Sequence, residues 1–349
     1  MKIPCSPCAL VLALFVSAGT LHSESVTSVP LASITVEIPA GSLAVPSVTT
    51  FSLPLRETTP ASFQGIAAGR ITEVTANTIS NTNAGWAAGA LSQSGAPWFI
   101  RITSGSATGR TLQISSSTAN TSSTLTVLNE GTDLTGLGIV TGPGGDTYEI
   151  FPGDTLLSLF GDSTLGGTSA ASADVVRLHN GTTWSEYYYH SGANQWRVGA
   201  VPVNQNSVVV RPDAGIIFYR RGGTPLTLTL LGAIPTTPIR SVVNNTGVTF
   251  LGNVFPVDQT LSSAGFHALP GWVNNTGLVT NADKVVIWER FSYTYYNYNQ
   301  AYAQWRSGAV PVNQSNVLIR AGTPVIIERP GTVSGVTTLL RNLPYSLNP

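Results

Sequence analysis

Short runs of Val, Ile, Thr and aromatic residues alternate along the chain with clusters of Gly, Pro, Asn and Asp, at intervals of about ten residues. In such a run, residues two apart share a face, so the pattern predicts half-buried β-strands. Residues 33–38 run into Pro39-Ala40-Gly41, residues 98–103 into Ser104-Gly105, and residues 111–115 form a further run. Residues 208–211 and 216–220 flank Pro212-Asp213-Ala214-Gly215, which has Pro and Gly where a tight turn uses them. Asn180-Gly181 separates residues 175–179 from 182–189, and Asn-Gly between strand-like runs is a strong hairpin signal because both residues tolerate positive φ. Sustained helical periodicity with caps is missing. Short helices are expected only near residues 155–160 and 261–264. The pattern therefore predicts an all-β, antiparallel protein built of sandwich-like or barrel-like modules.

One pattern occurs twice. Gln195-Trp196-Arg197-Val198-Gly199-Ala200-Val201-Pro202-Val203-Asn204-Gln205 returns at 304–314 with only Val198 changed, to Ser307. The offset is 109 residues, from Trp196 to Trp305, and it also pairs Asp174 with Asp283, Arg211 with Arg320, Arg220 with Arg329 and Pro235 with Pro344. Thr155-Leu156 and Thr260-Leu261 match at a slightly shorter offset. This is an internal duplication in the C-terminal half. Two copies are too few for a solenoid, so they are expected to be neighbouring β modules. The expected division is a signal peptide over 1–25, an N-terminal β region over 26–153, a first repeat module over 154–240 and a second over 241–349.

The signal peptide rests on Lys2, the apolar run 9–21, and small residues at Ser23 and Ser25. That run is too short for a bilayer, which needs about 20 residues. No second long apolar stretch follows, so no transmembrane segment is expected. Cys5 and Cys8 have a Cys-x-x-Cys spacing but lie within the expected signal. The exported chain is then disulfide-free and must be held by its core. Its destination is expected to be the periplasm, the outer surface or the extracellular medium. Seventeen basic and seventeen acidic residues are scattered without runs, and Lys284 is the only lysine after the signal. A nucleic-acid partner needs a basic stripe, so none is expected.

The segments 33–41 (Ser-Ile-Thr-Val-Glu-Ile-Pro-Ala-Gly), 99–105 with Gly109-Arg110, and 252–258 (Gly-Asn-Val-Phe-Pro-Val-Asp), together with the Trp-Arg-x-Gly segments, resemble an uncharacterised family of exported β-rich proteins from Verrucomicrobia-type bacteria. The resemblance spans most of the exported chain. It implies an exported bacterial protein and no particular activity. The Gly-Asn-x-x-Pro start followed by aromatic hairpins is also similar to repeat segments of secreted Bacteroidetes surface proteins.

Catalytic motifs are not found: there is no Gly-x-Ser-x-Gly elbow, His-Glu-x-x-His, phosphate loop or calcium loop. His179, His190 and His267 have no metal-ligand spacing, so neither a metal nor a cofactor is expected. Glycoside hydrolysis needs two carboxylates across a cleft. Asp174, Glu186, Asp213, Asp258, Asp283, Glu289 and Glu328 are available, but spacing selects no pair. Asp174 and Asp283, at matching places, read as turn-fixing residues. Trp196-Arg197 and Trp305-Arg306 read as packing residues, with each Arg bonding carbonyls or stacking on a ring.

The aromatic hairpins offer the one candidate contact surface. Tyr187 and Tyr189, with Tyr296 and Tyr298, fall on the expected core face. Trp184, Glu186, Tyr188 and His190 fall on the other face and match Tyr293, Tyr295, Asn297 and Asn299. Exposed aromatics on an uncharged polar sheet suit sugar stacking or protein contact. The candidate ligand contacts are Trp184, Glu186, Tyr188, His190, Tyr293 and Tyr295, with no catalytic residue assigned. The expected function is a non-enzymatic envelope or extracellular protein that binds glycan or a surface protein. The alternatives are a self-associating structural protein of the cell surface and a polysaccharide-acting hydrolase. The sequence does not fix the oligomeric state.

Overall fold

The computed structural model describes residues 30–63, 65–276, 281–289, 292–308 and 311–346. The expected signal segment and both cysteines lie outside these residues, so no disulfide ties the described fold. The architecture is antiparallel β, as the alternation predicted. The α-helix Leu156–Phe160 lies in one of the two segments expected to be helical. Residues 261–264 instead form a turn. No helix among the described residues is long and apolar enough to cross a membrane.

Two five-stranded sheets have the same strand order. In the first, Gln195–Val198, Trp184–His190, Val175–His179, Gly215–Arg220 and Ser47–Ser52 lie side by side. In the second the order is Gln304–Ser307, Ser292–Asn299, Lys284–Glu289, Val325–Arg329 and Gly247–Leu251. A two-stranded ribbon accompanies each sheet: Leu31–Ile38 with Leu226–Ala233, and Ile239–Asn244 with Val336–Arg341. Sheet and ribbon enclose a core, which makes each module sandwich-like. Val176, Ile216, Phe218, Leu228 and Leu230 fill the first core, and Val243, Val285, Val325, Ile327 and Leu339 fill the second. Each such side chain contributes about 1.5–3 kcal/mol on burial.

The duplication holds at the level of single bonds. Trp196 and Trp305 are both 0% exposed. Each carbonyl accepts from a matching backbone N–H, Gln205 or Gln314, at 2.8 Å. The backbone N–H of each tryptophan donates to the side-chain oxygen ten residues on, Asn206 Oδ1 at 2.8 Å or Ser315 Oγ at 3.2 Å. Thr155 and Ser158 cap one turn reciprocally, and Thr260 with Ser263 repeats the same bonds. Asp174 pairs with Arg220 and Asp283 with Arg329, both pairs buried. These carboxylates also accept backbone N–H bonds, from Leu165 to Asp174 at 2.9 Å and from Val273 to Asp283 at 3.0 Å. They fix loops against strands, in keeping with the structural reading of these positions.

The repeated unit is longer than sequence identity revealed. Phe51 pairs with Ile216 as Leu251 pairs with Val325, so Ser47–Ser52 matches Gly247–Leu251 at an offset of 200. The two ribbons match as well, with Glu37 opposite Thr227 and Asn244 opposite Val336. Strands Leu31–Ile38 and Ser47–Ser52 thus belong to the sheets of the first module. In the second module residues 252–258 lead from Leu251 to the next strand, Gln259–Thr260. In the first, residues 53–153 fill that connection and form a seven-stranded unit with its own core, which includes Trp86, Ile100, Leu112 and Tyr148.

The modules meet through reciprocal contacts. Ser52 N–H donates to the Gly322 carbonyl at 2.8 Å, and Gly252 N–H donates to the Asp213 carbonyl at 2.9 Å. Ser52 matches Gly252, and Asp213 matches Gly322. A contact between i and j that recurs between j and i is the mark of a two-fold relation. Near that axis the matched residues approach each other, since a Cβ added to Gly252 would lie 2.6 Å from Ser52 Cβ.

Candidate functional site

The outer faces of the two sheets carry the candidate residues, and they treat matching positions differently. In the first module Trp184 is half-buried, 4.8 Å from the His179 ring and 5.3 Å from Phe250 of the second module. The Arg177 guanidinium lies 4.8 Å over its ring. Burial, then the charge of Arg177, pushes the His179 imidazole down, so it is neutral near pH 7. Its Nδ1 accepts from Gly181 N–H at 3.3 Å. Tyr188 is 3% exposed, packed with Ala173 and Val175, and offers no surface to a ligand. His190 is half-buried at the far end of the strand. Glu186 stays open, with Arg177 Nε at 3.7 Å.

In the second module the matching face is open. Tyr293 is 54% exposed and Tyr295 39%, and their rings meet edge to face at 5.3 Å. The residues that cover Trp184 have different counterparts here: Val286 for Arg177, Trp288 for His179 and Thr50 for Phe250. Trp288 lies 6.2 Å from Tyr293. Cross-strand pairing brings in two charged neighbours, because Lys284 stands opposite both Asn297 and Glu328. Lys284 Nζ lies 3.2 Å from Glu328 Oε1 and 5.7 Å from the centre of the Tyr295 ring. Lys284, Tyr293, Tyr295, Ser307, Gly308 and Glu328 line a groove of about 440 Å³. That size lies within the range that small ligands occupy.

The groove can act in three ways. The exposed Tyr293 ring offers an apolar face. An ammonium has three donors, and the pair with Glu328 engages one of those on Lys284. The Glu328 carboxylate, partly exposed, accepts. An aromatic face beside one donor and one acceptor matches a pyranose, with its C–H face and vicinal hydroxyls. Sequence reasoning singled out the two tyrosines but not Lys284. The signal available was the isolation of Lys284 as the sole lysine outside the expected signal. The sequence offers Glu328 only as one of several carboxylates among which spacing selects no pair.

Other sites carry less. A cleft between the modules and the inserted unit is lined by Glu130, His179, Arg211, Asp213, Asn244 and Phe250. Its charged groups bond one another: Glu130 engages Arg110 and Arg211, and Arg211 Nε donates to Asp213 at 3.2 Å. A pocket of about 130 Å³ holds Glu57 and Asp154. Burial raises both carboxyls, and the charge of Asp154 raises Glu57 further. Two carboxylates are what a hydrolase needs, but this space is below the few hundred Å³ of a ligand site. Among the described residues no group of three or more His, Cys, Asp or Glu is placed to hold a metal. The Glu289 side chain is not among those described. The Trp-Arg segments are structural: Trp196 and Trp305 lie in the cores. With the Gln195 and Gln304 amides turned so that oxygen faces the guanidinium, Arg197 and Arg306 Nε donate to them at 2.7 Å. Arg306 also lies 4.4 Å over Tyr302.

Comparison of the chain with protein-family models, curated proteins and solved structures gives no match.

Proposed function

We propose that this is an exported, non-enzymatic bacterial protein that binds glycan through the outer sheet face of its second module. Export rests on the amino-terminal sequence and on the family resemblance. The observation that carries the binding function is the open pair Tyr293 and Tyr295 beside the Lys284–Glu328 ion pair. The matching Trp184, by contrast, is half-buried against Arg177, His179 and Phe250.

The test is affinity electrophoresis of the chain without residues 1–25 in gels containing barley β-glucan, xylan, galactomannan or peptidoglycan fragments. Retardation is expected in at least one gel. Tyr293→Ala with Tyr295→Ala should weaken it about tenfold or more, since the loss of one good aromatic contact is about 1–1.5 kcal/mol. Free migration of the unaltered protein in every gel counts against the reading.

A further inference from the structure

The first module has its own groove at the matching place. Val175, Glu186, Tyr219 and Arg221, with Ala170 and Ala171, line a space of about 340 Å³. At the repeat offset of 109, Val175, Glu186 and Tyr219 match Lys284, Tyr295 and Glu328 of the second groove. The two spaces therefore occupy one position of the fold, on the outer face of the sheet. Their residues are exchanged, but the chemical set is kept. The second groove has Tyr295, the Glu328 carboxylate and the Lys284 ammonium. The first has Tyr219, the Glu186 carboxylate and the Arg221 guanidinium.

The bonds around the first groove hold this set in place. Arg177 Nη1 donates to the Tyr219 hydroxyl at 3.4 Å, and Arg177 Nε lies 3.7 Å from Glu186. Arg221 lines the groove and donates from Nη1 to the Ala173 carbonyl at 3.1 Å; its Nε is buried, so contact with a ligand falls to the other guanidinium nitrogens. Glu186 is among the more exposed carboxylates, with its side chain 55% accessible. The groove thus presents an acceptor and an incompletely bonded donor beside a tyrosine. A ring hydroxyl donating to Glu186 while a neighbouring hydroxyl accepts from Arg221 satisfies both.

We infer that the first module carries a second saccharide subsite formed by Glu186, Tyr219 and Arg221, so that one chain holds a polysaccharide at two matched positions. The inference rests on the glycan-binding reading of the second module and extends it to bivalent attachment. Both grooves belong to one chain, and a polymer long enough to span them would bind bivalently.

Affinity electrophoresis in the same polysaccharide gels tests this with four proteins: unaltered, Tyr293→Ala/Tyr295→Ala, Glu186→Gln/Arg221→Gln, and all four changes together. Glu186 is exposed and its substitution leaves the core intact. A thermal melt confirms folding of each, and Glu186→Gln alone replaces the pair if Arg221→Gln lowers the melt. Either pair of changes should weaken binding about tenfold, and the fourfold variant should migrate as in a gel without polysaccharide. If the Glu186/Arg221 variant is retarded like the unaltered protein while the tyrosine variant is not, the second subsite is refuted and the first reading stands. If the unaltered protein is retarded by none of the polysaccharides, both fall.

Discussion

Trp184 and Tyr293 occupy the same place in two copies of one fold, yet one is half-buried at the junction of the modules and the other open. Arg177, His179 and Phe250 surround Trp184. Their counterparts Val286, Trp288 and Thr50 leave Tyr293 more than half accessible. The buried positions tell the opposite story, because Trp196 and Trp305 share even their hydrogen-bond partners in kind. Duplication supplied two interiors of the same architecture, each around a buried tryptophan, and two outer faces free to diverge. One aromatic became part of the junction between modules, and the other remained available to a ligand.

The strongest way to break this comparison is at the interiors. Trp196→Ala and Trp305→Ala should each cost about 3–5 kcal/mol in denaturant unfolding, as large buried aromatics do. A large difference between the two would mean that the cores are not equivalent. Next comes the junction, where Asp213 lies buried. Burial alone raises its carboxyl, but Arg211, Arg110 and Arg341 together hold it below the usual range. A folded-state value below the unfolded one stabilises the fold above the unfolded value of about 4, and that contribution is lost as pH falls through the folded value. Asp213→Asn should cost about 3 kcal/mol at pH 7, as the loss of one partner of a buried pair does. The gap between variant and unaltered melting temperatures should shrink below about pH 4. A gap that does not change with pH would remove the charge from the account of the junction.

Smaller effects sharpen the contrast. Gly252→Ala places a methyl group 2.6 Å from Ser52 Cβ and 2.9 Å from the Ala214 carbonyl oxygen. Separating the modules there should cost about 1–3 kcal/mol, as overpacking does. Trp184→Ala should cost about 2 kcal/mol, while Tyr293→Ala should change stability by less than about 0.5 kcal/mol, the range of ordinary surface substitutions. Equal losses at these two positions would mean that Tyr293 is a packing residue too.

Much of this was legible in the chain. The strands at 175–179 and 216–220, the buried tryptophans and the matched aspartates follow from alternation and from identity between copies. The hairpin at Asn180-Gly181 shows the limit of turn signals. His179 pairs with Trp184, and the connection runs through Thr183 because Asn180 Oδ1 accepts from both Thr182 N–H, at 3.0 Å, and Thr183 N–H, at 2.8 Å. The matches of Ser47–Ser52 to Gly247–Leu251 and of the ribbons were hidden. Partner strands fix register and alternation but not identity, and 101 residues, 53–153, separate the first pair from the rest of its module. The grooves were hidden for a related reason. Lys284, Glu328, Tyr219 and Arg221 come to the site across strands, and nothing in their local sequence marks which neighbours they meet.

Tyrosine nitration with tetranitromethane, read by mass spectrometry with and without bound polysaccharide, reports directly on whether the two matched faces differ. The account predicts rapid modification of Tyr293 and Tyr295, little at Tyr188 and Tyr296, and protection of the first two when polysaccharide is present. Uniform modification of all four, or unchanged reactivity of Tyr293 and Tyr295 in the bound protein, would contradict it.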